Sequence, residues 1–163
     1  MTNKQKLKGV KVYLASPFFS EEQVERVKRV EEALKANPTV TEVFSPRLHQ
    51  FNDLPYGTQE WAEFIFKNDV KHVDWADVVV GVHDFTGETE LHGDKHNHVD
   101  SGTAWELGYA FGTGKPVVML HELDGIVNLM LSVSCQAYFK DAEAIKEYDF
   151  NEMPKVYYSG ETW

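Results

Sequence analysis

The sequence predicts an α/β fold, a parallel sheet with helices on both faces. Three observations lead there. Strand-like and helix-like segments alternate along the chain. The central strand segments, Ala76 to Val82 and Pro116 to Leu120, are apolar throughout, as strands covered on both sides are. The first helical segment carries Val24, Val27, Val30 and Leu34 at helical spacing, with Glu, Lys and Arg on the other face. The 163 residues suffice for one domain with a sizeable core. No linker, repeat or low-complexity tract divides the chain, so residues 1–163 are read as a single domain.

Each element follows from local signals. Lys11 to Ala15 is a short strand, and Ser16 to Phe19 turns the chain. Ser20 followed by Gln23 has the form of a capping box and opens the first helix, which Asn37-Pro38 stops. Thr39 to Phe44 alternates and is β-branched, hence a strand. Ser45 to Gly57, with two prolines, is a loop. Thr58 to about His72 is the second helix, with Trp61, Phe64, Ile65 and Asn68 on one side. His83 to Val99 reads as a long polar loop. Ser101 to Thr113 is the third helix, ended by Gly112-Thr113-Gly114. Ile126 to Ser134 reads as a short helix, Gln136 to Phe139 as a last strand, and Asp141 to Tyr148 as a last helix.

Charge and cysteine content exclude several classes. There are 16 basic and 26 acidic residues, a formal charge of -10, which argues against nucleic acid or an anionic membrane as partner. Cys135 is alone, so no disulfide forms within the chain and a reducing compartment fits. Met1 to Gly9 lacks the apolar core of a signal peptide. Apolar runs such as Val78 to Val80 are far too short to span a bilayer. A cytoplasmic protein is expected.

In sheets of this kind ligands bind past the carboxyl ends of the strands. Asp100 and the start of its helix fall on that edge. Glu106 is the only charged residue between Ser101 and Gly114, and a carboxylate in such company is costly to bury unless paired or used. Asp100 and Glu106 are six residues apart, about 240° net around a helix, so they share no face within it. They converge if Asp100 sits in the loop, Ser101 caps the helix and Glu106 lies in the second turn. Two converging carboxylates suit glycosidic chemistry, one attacking the anomeric carbon and the other moving a proton. The alternative stays open: Thr103, Glu106, Tyr109 and Thr113 as a solvated stripe, with Asp100 only a cap. Asp69, in Lys67-Asn68-Asp69, reads by itself as a surface acid on an amphipathic helix rather than a site residue. Tyr13 sits near the carboxyl end of the first strand, where its phenol needs a partner. His92, Asp94, His96, His98 and Asp100 have the side chains of a metal site, but their spacing matches no closed zinc pattern, so a solvated loop is preferred and no metal is expected. No GxGxxG follows the first strand and no GxxxxGK[ST] occurs, which weighs against a nucleotide cofactor. There is also no G-x-S-x-G elbow.

Taken in order, Val12 to Phe18, Lys67 to Asp69, Asp100 to Ala110 and Asn128 to Met130 resemble the nucleoside 2-deoxyribosyltransferases. The resemblance covers almost the whole chain. It implies a flavodoxin-like doubly wound sheet and transfer of 2-deoxyribose between nucleobases without a cofactor. Glu106 would be the nucleophile on C1′, Tyr13 its orienting donor, and Asp69 and Asp100 the groups that bind the base and manage its proton. Gln50 matches a base-binding Gln. Ala15 stands at a substrate-binding turn where the family often has Gly. Asn128 and Met130 would reach a neighbouring subunit's site, implying a homo-oligomer, a hexamer built as a trimer of dimers. The aromatic tail from Tyr157 to Trp163 would close the site, with Trp163 beside the sugar and its carboxylate near the 5′-hydroxyl. The His83 to Val99 segment is longer and richer in His than usual, which leaves the breadth of base specificity open. Two alternatives share the topology: a deoxynucleoside 5′-monophosphate N-glycosidase, and a non-catalytic nucleotide-binding domain.

Overall fold

Side-chain alternation along the first strand divides the molecule into two cores. The computed structural model describes residues 9–91 and 93–163. His92 and nearly all of the Met1 to Gly9 segment therefore lie outside the described residues. In β1 (Val10–Ala15), Val12 and Leu14 point to one face of the sheet and Tyr13 and Ala15 to the other. The first face is covered by α1 (Glu21–Ala36), through Val27, Val30 and Leu34, and by α5 (Ala142–Glu147), through Ile145. The second is covered by α2 (Gln59–Trp75), through Val73, and by α3 (Ser101–Gly112), through Leu107 and Ala110.

The remaining strands are β2 (Val40–Phe44), β3 (Val78–Val82), β6 (Val117–Leu120) and β7 (Ala137–Phe139). With β1 they form a five-stranded sheet in the order β2-β1-β3-β6-β7. Every neighbouring pair is parallel. Counted within this sheet the order is the flavodoxin-like one, with its switch point between β1 and β3. The expected fold class is the observed one.

Four boundaries differ from the sequence reading. The stretch read as a loop from His83 to Val99 is an antiparallel hairpin of β4 (Phe85–Leu91) and β5 (Asp94–Val99). Its sequence is largely polar, so no apolar period marks it, and Gly93 supplies the positive φ of the turn at +86°. Helix α3 is capped by Asp100 rather than Ser101. Helix α2 continues past His72 to Trp75. Helix α4 (Leu129–Ser134) starts later than Ile126, because Asn128 caps it and Val127 is held in a bridge to Thr162. The capping box at Ser20 forms, with Gln23 N–H donating to Ser20 Oγ at 3.3 Å. The Gln23 side chain returns to the Phe19 N–H at 2.8 Å.

Gly81 sets how closely α3 approaches the sheet. A Cβ at that position would stand 2.6 Å from Leu107 Cδ2 and 2.8 Å from Leu107 Cδ1. Leu107 follows Glu106, so this close packing also fixes where the carboxylate lies. Gly81→Ala is expected to destabilise the protein by about 1–3 kcal/mol, the usual cost of overpacking a core. A lowered midpoint of urea unfolding measures it, and an unchanged midpoint would show that α3 can draw back freely.

Candidate active site

Tyr13 comes to the α3 side of the sheet through strand alternation, and Glu106 comes to the same place through the second turn of α3. Tyr13 is wholly buried and lies in a stacked arrangement with Phe44, ring centroids 5.7 Å apart. Its Oη donates to Glu106 Oε1 at 2.5 Å. That length is at the short end of O–H···O hydrogen bonds. Glu106 is half-buried, and neither of its neighbours in sequence offers it a charge.

Two further carboxylates share the space. Asp100 Oδ2 accepts from the Thr103 N–H at 2.8 Å and from Thr103 Oγ1 at 2.9 Å. It caps α3 and also faces the cleft above Glu106. Asp69 projects from α2 into the same cleft. Thr103 is buried, so the stripe Thr103, Glu106, Tyr109 and Thr113 is not a solvated face along its length. Only its far end is: Thr113 is exposed, and Tyr109 Oη donates to Asp74 Oδ1 at 2.9 Å.

The cleft has a volume of about 710 Å³. Beside the three carboxylates it is lined by aromatic side chains that include Phe18, Phe51, Tyr56 and Trp61. Phe51 stacks on Phe64 with centroids 4.0 Å apart, and Tyr56 tilts against Trp61 at 4.6 Å. These rings were not singled out from the sequence as site residues. The signal for two of them is that Phe51 and Tyr56 stand in the Ser45 to Gly57 loop, a costly placement for a solvated connection. Gln50 lines the cleft as expected, with its Nε2 donating to the Arg47 carbonyl at 3.1 Å. Ala15 does not reach it. Its methyl is wholly buried in the core, and the turn meets the cleft through Ser16.

Asn128, Met130 and Trp163 do not line this cleft. Asn128 caps α4, its Oδ1 accepting from the Met130 N–H at 2.9 Å. Met130 is 72% exposed. Trp163 is docked through its carbonyl, which accepts from the Leu129 N–H at 3.0 Å. Among the described residues no three His, Cys, Asp or Glu side chains are grouped so as to hold a metal ion. Among them, too, no helix is long and apolar enough to cross a membrane.

Burial in the cleft perturbs Glu106 and Asp69. Burial pushes Glu106 up to about 8, and the charges of Asp69 and Asp100 add to it, while the Tyr13 hydrogen bond works in the opposite sense. Burial raises Asp69 to about 6. Burial, then Glu106 and Asp69, hold the Tyr13 phenol far above its ordinary value, so it remains a donor. Burial therefore favours an exchangeable proton held within this cluster near neutral pH.

Stability carries the trace of this. Below the ordinary value of 4.5, Glu106 is protonated whether the chain is folded or not. Between 4.5 and about 8 the unfolded chain gives up the proton and the folded one keeps it, so the contribution of Glu106 to stability falls as pH rises. Glu106→Gln, which retains an acceptor for Tyr13, is expected to stabilise the fold at pH 8 by about 2–4 kcal/mol and to leave it unchanged at pH 4. Thermal unfolding at the two pH values reads this directly, and equal effects at both would count against a proton held by burial.

The cleft can be set beside known proteins. The family model described as nucleoside 2-deoxyribosyltransferase matches residues 12–147. The nucleoside deoxyribosyltransferase of Limosilactobacillus fermentum is 29% identical over 166 residues, covering 93% of this chain and 92% of the relative. That of Lactobacillus leichmannii is 25% identical, covering 91% of this chain and 95% of the relative. The solved structure of a 2-deoxyribosyltransferase from the psychrotolerant bacterium Bacillus psychrosaccharolyticus is 40% identical, with a TM-score of 0.76, covering 91% of this chain and 99% of that one. A conserved protein from Enterococcus faecalis V583, 19% identical with a TM-score of 0.52, shares the fold. The family match runs from β1 to the end of α5 and so takes in the whole parallel sheet together with Tyr13, Asp69, Asp100 and Glu106; the chain belongs to the nucleoside 2-deoxyribosyltransferase family of enzymes.

Proposed function

We propose that the protein, as one domain of this family, moves 2-deoxyribose between nucleobases by a retaining double displacement in which Glu106 is the nucleophile. The observation that carries the reading is the 2.5 Å bond from Tyr13 Oη to Glu106 Oε1 in a cleft shared with Asp69 and Asp100. Tyr13 engages one carboxylate oxygen and leaves the other to attack. In the first step Glu106 is ionised and the proton shared by the cluster stands on Asp69 or Asp100; the bond between C1′ and the base nitrogen breaks, its electron pair leaves with the base, and that carboxyl proton neutralises the leaving group. The free Glu106 oxygen closes on the oxocarbenium-like C1′ and forms a glycosyl ester. A second base then attacks C1′, returns its proton to the aspartate, and Glu106 departs. Two inversions retain the configuration. No cofactor enters either step. A 2′-hydroxyl would withdraw electrons from C1′ and crowd the nucleophile, which favours 2′-deoxy substrates.

Deoxynucleosides and free nucleobases are the partners this cleft suits. The aromatic side chains offer faces on which a base can stack, and Gln50 offers an amide to its edge. A 5′-monophosphate would call for Ser or Arg donors, and of the arginines Arg26 is already bound to Asp84 and Arg47 to Glu31. That disfavours the N-glycosidase alternative. A net charge of -10 and a lone buried Cys135 support a cytoplasmic enzyme working on small molecules rather than on nucleic acid or at a membrane.

The same reading makes the active form a homo-oligomer, a hexamer built as a trimer of dimers. Asn128, Met130 and Trp163 stand outside their own chain's cleft and are assigned to a neighbour's, at its sugar end. Phe66, Trp105 and Phe111 are about half exposed on α2 and α3, an apolar surface suited to a second copy.

Glu106→Ala is expected to fold and to lose transfer by several orders of magnitude, measured by chromatography of a deoxynucleoside incubated with a different free base. A 2-fluoro-2-deoxynucleoside should label the unmodified enzyme at Glu106, and a near-normal exchange rate in the Ala variant would remove Glu106 from the mechanism. Mixing Glu106→Ala with Asn128→Ala subunits should restore part of the activity, because some hybrid sites hold both intact residues. Sedimentation showing an active monomer at assay concentration would overturn the shared site.

A further inference from the structure

Among the described residues none of the β4–β5 hairpin lines the Glu106 cleft, yet the hairpin is pinned at a definite place. Asn97 on β5 is buried and donates its Nδ2 to the Asp124 carbonyl at 2.7 Å. The next residue, Gly125, has φ +138°, and a Cβ there would stand 2.0 Å from Asn97 Nδ2. The amide thus occupies the room that a side chain at 125 would need, in a backbone conformation that favours glycine. One position earlier on β5, the buried His96 ring lies 4.8 Å from the Trp163 ring and nearly perpendicular to it. The hairpin therefore grips both the β6–α4 loop and the tail.

Those two segments are also joined to each other. Val127 N–H donates to the Glu161 carbonyl at 3.1 Å, and Leu129 N–H to the Trp163 carbonyl at 3.0 Å. Asn128 lies between these anchored residues and caps the helix that carries Met130. A displacement at Asp124 and Gly125 is passed along the chain to Asn128, and across the paired backbones to Trp163.

We propose that Asn97 and His96 are positioning residues for the sugar end of a neighbouring subunit's site, holding in place the loop and tail from which Asn128, Met130 and Trp163 act. The proposal rests on the assignment of those three residues to a neighbour's site. An irregular loop of this length loses substantial conformational entropy when ordered, about 1–2 kcal/mol per residue. Ordering it against the hairpin in the free protein removes that cost from substrate binding. The asparagine amide suits the task because it can donate to a main-chain carbonyl, which a carboxylate cannot.

Asn97→Ala and Gly125→Ala test the contact from its two sides in the full-length protein. Three measurements are needed: amide hydrogen exchange over residues 124–130 and 157–163, transfer against hydrolysis of a deoxynucleoside, and sedimentation. We expect faster exchange in both segments, a fall in transfer kcat/KM of about tenfold to a hundredfold, and a larger hydrolysed share as water reaches the glycosyl ester. Asn97→Ala combined with Asn128→Ala should be no slower than Asn128→Ala alone, because both act through one element. Unchanged exchange in both variants overturns the bracing. Transfer and hydrolysis reduced in equal proportion show a merely structural role and overturn the positioning. If Asn128→Ala alone transfers at the normal rate, the assignment of Asn128 fails; faster exchange with normal transfer in Asn97→Ala, while Asn128→Ala remains impaired, overturns only the inference about the hairpin.

Discussion

A phenol and a carboxylate 93 residues apart meet in one short hydrogen bond, and the architecture of the site follows from what that meeting demands. Tyr13 must point to the α3 face of β1, which the two-residue period of the strand decides. Glu106 must lie over the sheet at that point, which the contact of Leu107 with Gly81 decides. Phe44 stacks behind the phenol and limits its motion. With these constraints met, the carboxylate oxygen that does not bond Tyr13 is left facing the cleft.

The site is expensive in electrostatic terms. Asp69 and Glu106 converge with Asp100 on one cleft, burial disfavours the charges of Asp69 and Glu106, and the protein offers a hydroxyl rather than a cation as the partner of Glu106. A guanidinium beside Glu106 would lower its proton affinity and weaken it as a nucleophile. Arg26, Arg29 and Arg47 are instead tied to Asp84, Glu122 and Glu31. Asp100 serves twice, since the oxygen that caps α3 belongs to a carboxyl that also lines the cleft. The helix terminus and the chemistry therefore cannot shift independently.

Asp84 links this site to the hairpin. It is almost wholly buried, paired with Arg26 through two bonds, and its carbonyl accepts from the Asp100 N–H at 3.0 Å. The base of the hairpin is thus anchored to α1 at the residue that positions Asp100, while its second strand reaches the β6–α4 loop. A hairpin inserted between β3 and α3 leaves the parallel sheet undisturbed because it enters and leaves at one strand end.

Much of this was legible in the residues themselves. The continuous apolar runs of β3 and β6 required burial on both faces, and strand–helix alternation then required a parallel, doubly wound sheet. The isolation of Glu106 in an uncharged helix marked it for use, because a carboxylate is not placed in apolar surroundings without a partner. Other features depended on long-range geometry. Whether Thr103 and Glu106 form a solvated stripe depends on which side of α3 meets the sheet, and the contact at Gly81 settles it. The hairpin is not legible in the residues because a two-stranded ribbon of largely polar sequence carries no hydrophobic period. That Asp100 is cap and cleft residue together, that Ala15 is core while Ser16 lines the cleft, and that Asn128, Met130 and Trp163 stand away from their own chain's cleft are matters of tertiary placement. Local sequence sets the period and the partners a side chain needs; only the packed structure decides which of those partners, tens of residues away, it meets.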